Sequence, residues 1–264
     1  MHRVRFTALE FDILWAAYGT DRLPYPLQYR PLIDEWDALK RERERAVETL
    51  LANYEPLVER ALVALRAPDA RVEIKGFADV DDSTVIRFHG AIRDNVGTTL
   101  RQLPGPASDI GGDVVIGFGR AEEVASEAVN ALPACRPGTL PPIEIRRDRL
   151  NRGSDDAEYH LGMSYATEHL TRVVDRPRSS FGEVAAYAGG AIDSRPTPSI
   201  RTFWWMDYPD GRYYVRTGDP IIAEPLDAAR MTTGIAQMLN RAQRVHTESR
   251  TDFPTNADPW RASR

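Results

Sequence analysis

Asp207 and Asp210 stand three residues apart in the stretch Trp204-Trp205-Met206-Asp207-Tyr208-Pro209-Asp210-Gly211-Arg212. Two carboxylates at that spacing, joined by a histidine such as His89, are the residue types of an acid–base hydrolase. The same positions have a plainer chemistry. Aspartate is favoured in turns because its side chain caps nearby backbone N–H groups, and Pro209 and Gly211 are turn formers too. The turn reading is preferred, and no catalytic residue is assigned. Gly117-Phe118-Gly119 follows a strand and precedes a helix, as a dinucleotide-binding turn does. Glu122 stands where the third glycine is needed, and no acidic residue is placed to hold a ribose. His160 and His169 are nine residues apart, which does not stack them on adjacent helical turns. Cys135 sits in a proline-rich linker, without the partners a zinc ligand needs. Neither a metal nor a cofactor is expected.

The elements that must position these residues belong to a soluble, mixed chain. Its 264 residues are 42% apolar and 28% charged, with a net charge of −5. That length supplies its own core, and the acidic balance argues against nucleic acid, whose phosphates want a basic face. One cysteine excludes a disulfide framework and fits a reducing cytosol. No apolar run approaches the roughly 20 residues that span a bilayer. Glu10 and Asp12 interrupt the first apolar stretch, so no signal peptide is expected and the location implied is cytoplasmic.

Val4–Phe6 reads as a short strand. Thr7-Ala8-Leu9-Glu10 has the form of a capping box and starts a helix over Leu9–Tyr18. A proline-pinned connector, Leu23–Leu27, leads to a helix from Ile33 to about Ala52, with Val47, Leu50, Leu51 and Tyr54 expected as its buried stripe and its charge run as a solvated face. Another helix covers Pro56–Leu65. Three strands follow at Arg71–Phe77, Thr84–Arg93 and Asp113–Phe118, with a turn at Asp94–Gly97 and a Gly/Pro-rich loop at Pro104–Gly112. A helix over Ala121–Leu132 closes the half. Pro133–Pro142 is the clearest linker. Beyond it come a short strand at Ile143–Ile145, a helical region over Asp155–Asp175, strands at Phe181–Tyr187, Thr202–Met206, Tyr213–Arg216 and Ile221-Ile222, and a helix over Leu226–Leu239. The tail from Arg244 is polar.

The stretch Arg201–Arg216 reads as one β-hairpin around Tyr208–Gly211, pairing Met206 with Tyr213, Trp205 with Tyr214 and Trp204 with Val215. An offset of 107 residues places Val114-Val115 on Ile221-Ile222 and Leu132 on Leu239. An offset of 114 places the turn Asp94–Gly97 on Tyr208–Gly211 and His89 on Phe203. The implied fold is α+β: two quasi-equivalent β-β-β-α halves, 1–133 and 143–242, forming a central antiparallel sheet flanked by helical bundles. The two halves make one domain over 1–242, and 243–264 is a disordered tail. The hairpin face of Trp204, Met206, Tyr213 and Val215 is uniformly bulky and belongs to the core. The other face mixes aromatics with charge. Because Trp, Tyr and Arg dominate interface energetics, Phe203, Trp205, Tyr214 and Arg216, with Arg87 and His89 on the matching strand of the first half, are the expected partner-binding residues.

Several stretches in order resemble the EspG family of actinobacterial type VII (ESX) secretion systems. FTALEFDILWAAYG followed by LPYPL is similar to that family's opening strand, helix and connector. ERERAVETLL and ALVALRAPDARVEI resemble its next segments, and RSSFGEVAAYAG and IIAEPLDAARMTTGIAQML its later strands and closing helix. WWMDYPDGRYYVR resembles its hairpin, which reads close to W-x-D-x-x-x-G-R-Y. The resemblance implies two quasi-equivalent halves around an antiparallel sheet. It also implies a non-enzymatic, cytosolic chaperone, a monomer or weak homodimer that binds the hydrophobic tip of the PPE subunit in a PE–PPE heterodimer and passes it to export. One departure stands out: the loop between the first two meander strands, often long in the family and used for partner contact, is only Ala78–Ser83.

Overall fold

The computed structural model describes residues 1–19, 22–79, 83–146, 176–191 and 197–251. Among these, ten strands form one antiparallel sheet: β1 (His2–Phe6), β2 (Ala70–Ala78), β3 (Thr84–Arg93), β4 (Val96–Ala107), β5 (Ile110–Arg120), β6 (Ile143–Ile145), β7 (Ser180–Ala188), β8 (Arg201–Tyr208), β9 (Gly211–Arg216) and β10 (Ile221–Pro225). Their spatial order is β1-β5-β4-β3-β2-β7-β8-β9-β10-β6. Five helices accompany them: α1 (Ala8–Ala17), α2 (Trp36–Ala52), α3 (Pro56–Arg66), α4 (Glu123–Asn130) and α5 (Ala228–Thr251). The expected helical region over Asp155–Asp175, with His160 and His169, lies outside the described residues. The α+β class and the central antiparallel sheet stand as the sequence implies.

Local chemistry sets the start of the chain. Thr7 accepts the Glu10 N–H while the Glu10 side chain accepts the Thr7 N–H, so the capping box forms as read. The Met206–Tyr213, Trp205–Tyr214 and Trp204–Val215 pairs of the hairpin also form.

The internal repeat is present, with one more strand in the first copy than expected and with a different register between the hairpins. The second part of β4 carries Pro104, Gly105 and Pro106, which read as a loop rather than a strand. It follows β5 through two register shifts, as bulged strands do. The hairpins are equivalent at an offset of 115 residues, not 114: Arg93 pairs with Val96, and Tyr208 with Gly211. That single-residue slip matters because adjacent strand residues point to opposite faces. At the true offset Phe88 matches Phe203 and Thr99 matches Tyr214. His89 therefore does not match Phe203; the two face opposite sides of the sheet. Phe88 pairs with Ile74 and Phe203 with Val184, and Ile74 pairs with Val184. Each of these two central residues is thus bonded to its own twin, so a pseudo-two-fold axis passes between β2 and β7.

Three cores follow. One side of the sheet carries Val72, Ile74, Phe88, Val184, Phe203 and Trp205 beneath α4 and α5. The other side carries Leu100, Val114 and Ile116 beneath α1 and α3 in the first half, and Met206, Tyr213 and Val215 in the second. Two further expectations change. Of the stripe expected to be buried on α2, Leu50 packs against the first-half core, while Leu51 is 75% exposed and Val47 and Tyr54 are exposed with it. The helix packs on α1 through an adjacent stripe that includes the buried Ala46, so only one edge of its apolar arc is covered. The disordered tail does not begin at residue 243. Helix α5 continues to Thr251 with Ala242 fully buried and His246 lying 3.9 Å from Asp69.

Candidate functional site

The six expected partner-binding residues do not form one surface. Trp205 is 0% exposed. Its ring lies across β2 and β7 at Gly76 and Gly182, where a Cβ on either glycine would come within 2.3–2.4 Å of ring carbon Cη2. Phe203 is buried beside it in the same core. Tyr214 and Arg216 are half-buried on that face. Arg87 and His89 are buried on the opposite face, under the segment that carries Tyr25 and Gln28. The correction has two causes, because the 25–28 segment covers Arg87 and His89 and a helix covers the hairpin. The mixed face of the hairpin is not solvent-exposed sheet, because α5 lies over it.

Arg87 donates through Nη2 to Gln28 Oε1 (2.9 Å) and to the Ser108 carbonyl (2.6 Å), while its Nε and Nη1 have no partner among the described residues. Burial lowers its pKa, against the pull of Asp109. His89 Nδ1 lies 2.8 Å from the Tyr25 carbonyl, and Nε2 is buried without a partner among the described residues. Burial pushes the His89 pKa down; Glu73 and the Tyr25 carbonyl oppose that shift and Arg71 adds to it. In the unfolded chain the ring titrates near 6.5, so below that pH the unfolded state takes up a proton that the folded state refuses. Stability should fall as pH drops from about 6.5, by up to about 1.4 kcal/mol per pH unit, until the folded-state ring also protonates. Urea titrations between pH 7.5 and 5 test this. A His89→Gln variant with an unchanged pH slope would assign the loss elsewhere.

Asp207, Asp210 and His89 do not converge. Strands β2 and β7 separate β3 from β8, and His89 faces the side of the sheet opposite to Asp207. Asp207 is a two-oxygen acceptor for Arg212, from Nε (2.7 Å) and Nη2 (2.8 Å), and also accepts from Ser180 Oγ (2.5 Å). Arg212 Nη2 adds a bond to the Pro133 carbonyl at 2.7 Å. Burial alone would raise the Asp210 carboxyl. Tyr213, the Thr139 N–H and Arg176 outweigh it and hold the pKa at about 2, the wrong direction for a proton donor near neutrality. Both aspartates tie the hairpin to the linker that joins the halves. The Gly138 N–H reaches the Arg212 carbonyl and the Arg212 N–H the Arg136 carbonyl. Gly211 adopts φ 136°, and a Cβ there would lie 2.4 Å from the Pro137 carbonyl oxygen. This gives a physical role to each fixed letter of W-x-D-x-x-x-G-R-Y: Trp205 fills the seam, Asp207 and Arg212 pair, Gly211 admits the linker, and Tyr213 binds Asp210. Cys135, in that linker, has its thiol pushed up by burial and by Asp207. Among the described residues no group of three or more His, Cys, Asp or Glu could hold a metal ion.

The surface that sequence reasoning missed lies at the sheet centre, on the side of α1 and α3. Phe77 and Phe181 pair across β2 and β7 with ring centroids 5.5 Å apart, and the Arg178 guanidinium sits 4.3 Å over the Phe181 ring. Trp204, Lys75 and Glu183 continue this strip, each half-buried and each across a strand pair from the next. Tyr187 and the buried Arg71–Glu73 ion pair (2.8 Å) close its far end, with Arg71 4.3 Å over the Tyr187 ring. Burial and the nearby Glu73 and Glu183 push Tyr187 up to about 12. The strip starts where β2 ends at Ala78 and β3 begins at Thr84. The alternation of Arg71, Glu73 and Lys75 with apolar residues was its legible signal.

A family model described as the EspG family matches residues 7–237. The chain belongs to the EspG family. Among solved structures it is similar to the type VII secretion system chaperone EspG5 of Mycobacterium tuberculosis, determined in complex with the PE25–PPE41 dimer. That match has a TM-score of 0.58 and 14% identity, and covers 91% of this chain and 96% of EspG5. None of the curated proteins matches. Among the described residues no helix is long and apolar enough to cross a membrane.

Proposed function

We propose that this EspG-family chain is a cytosolic chaperone for a PE–PPE-type heterodimer, covering the hydrophobic tip of the PPE subunit and handing the pair to a type VII secretion apparatus. The observation that carries this reading is the fold shared over nine-tenths of the chain with EspG5, which was solved on its PE25–PPE41 client. The strip of Phe77, Phe181 and Trp204 is the surface best suited to such a tip. It offers half-exposed aromatic area on a rigid sheet, next to charges that orient rather than repel, and an exposed apolar patch of this kind marks an interaction site. It also adjoins the short Ala78–Ser83 connection, so a client reaches the strip without displacing a long loop.

Co-expression with candidate PE–PPE pairs tests the role. Co-purification with at least one pair is expected, and failure with every pair from the same genome would overturn it. Phe181→Ala combined with Trp204→Ala should then lower retention of the client by about tenfold or more, the loss expected of central aromatic anchors. A melting temperature close to that of the unaltered chain would separate this from unfolding.

A further inference from the structure

On the opposite side of the sheet, between α5 and the strands β8, β9 and β10, lies a groove of about 580 Å³. Phe203 and Tyr214 form its floor, their ring centroids 5.1 Å apart. Arg201, Arg241 and Arg244 stand on its rim, exposed and with no ion-pair partner among the described residues. A fourth arginine, Arg230, is committed to Glu224 at 2.7 Å. Three uncompensated cations around one aromatic floor run against the net charge of −5.

The pseudo-two-fold axis shows what such a groove accommodates. The twins of Tyr214, Glu224, Leu226 and Arg230 are Thr99, Gly117, Gly119 and Glu123, since β4 maps on β9 at an offset of 115 and β5 on β10 at 107. All four first-half residues lie against Met1. Its Sδ is 3.8 Å from Thr99 Oγ1, its side chain sits over Gly117 and Gly119, and its ammonium is 3.0 Å from Glu123. In the first half the chain fills this place itself, with an apolar side chain and a cation that meets an acid. In the second half no described residue fills the place, and Arg230 stands where the first half has Glu123.

We propose that the groove docks an acidic segment of a protein partner, which lays an apolar side chain on Phe203 and Tyr214 and sets carboxylates against Arg201, Arg241 and Arg244. Position 234 supports this. A glycine inside a helix is less stabilising than alanine, yet Gly234 lines the groove wall, and a Cβ there would meet no atom within 4 Å. The glycine satisfies no close approach within the chain; it leaves the wall low. This site lies on the other face from Phe77, Phe181 and Trp204, so it does not depend on how the client binds.

The test uses the full chain and a labelled helical peptide of about 14 residues, matched to the roughly 21 Å from Arg230 to Arg244 along α5. The peptide carries glutamates on one stripe and leucines with one phenylalanine on the other. By fluorescence anisotropy it should bind, and bind more weakly as salt rises. Its lysine-for-glutamate counterpart should not bind. Gly234→Leu should weaken binding about tenfold or more, the loss of one anchor contact, while leaving the melting temperature equal or higher. Arg241→Glu with Arg244→Glu should abolish binding of the glutamate peptide. Equal binding of the lysine peptide, tighter binding of a single-stranded oligonucleotide than of the glutamate peptide, or indifference to both sets of substitutions would overturn the proposal.

Discussion

Replacing Trp205 with alanine is expected to destabilise the fold by about 3–5 kcal/mol, the range for removing a fully buried large aromatic side chain. In a chain of this size each kcal/mol moves the melting temperature by roughly 2–4 °C, so a loss near 10 °C or more should appear in a thermal melt. The size follows from position. The indole closes the seam between the halves, lying on Gly76 and Gly182, and its Nε1 donates to Ser180 Oγ at 3.3 Å. The empty space would be bounded by β-sheet backbone, which collapses poorly. The reciprocal experiment is Gly182→Ala. A methyl there would stand 2.3 Å from the ring and 2.4 Å from the Lys75 carbonyl oxygen, so backbone has to move and a comparable loss is expected. A Trp205→Ala protein with an unchanged melt, and weaker partner binding instead, would show that the indole is a docking residue after all.

Removing the Asp207 carboxylate should cost nearly as much. Asp207→Ala leaves the Arg212 guanidinium, only 2% exposed, without its counter-charge, and breaking one side of a buried pair typically costs about 3–5 kcal/mol. Asp207→Asn keeps the shape and one acceptor oxygen and should cost less. The double variant Asp207→Ala with Arg212→Met should recover part of the loss, because no unpaired charge remains. Denaturant titration of the four proteins measures the coupling. Strictly additive losses would mean that the pair is not the unit holding the hairpin to the Pro133–Gly138 linker.

How much of this was legible depended on whether a residue's role was local. The capping box at Thr7 and the pairings of the aromatic hairpin are set within a few residues and read correctly. The repeat was visible, but its register was misread because Gly97 looks like the end of a turn. It is a strand residue, paired with Ile92 and Gly119. It is glycine because a Cβ would lie 2.4 Å from the Arg120 carbonyl oxygen and 2.7 Å from Val124. The turn is made by Asp94, at φ 52°, and Asn95. A glycine required by a helix 27 residues away is indistinguishable, along the chain, from one required by its own backbone. The same limit misplaced the docking face. Phe203 and Trp205 alternate correctly with Trp204 and Met206, but alternation says only that two faces differ. Which of them a helix covers was decided by α5, whose continuation to Thr251 carries it across the sheet. On α2 the arc of apolar residues was legible, and its partner was not.

The seam between β2 and β7 has a further consequence. Two halves related by a two-fold axis and joined by a strand pair are the architecture of an isologous dimer, in which every surface patch necessarily occurs twice. Here the two halves share one polypeptide, so that obligation is lifted. The nine residue pairs of the seam stay constrained by their shared hydrogen-bond ladder. Each outer end of the sheet is free to change alone: one packs residue 1 into its own half, and in the other no described residue fills the equivalent place. Covalent linkage thereby turns a symmetric scaffold into one with non-identical ends.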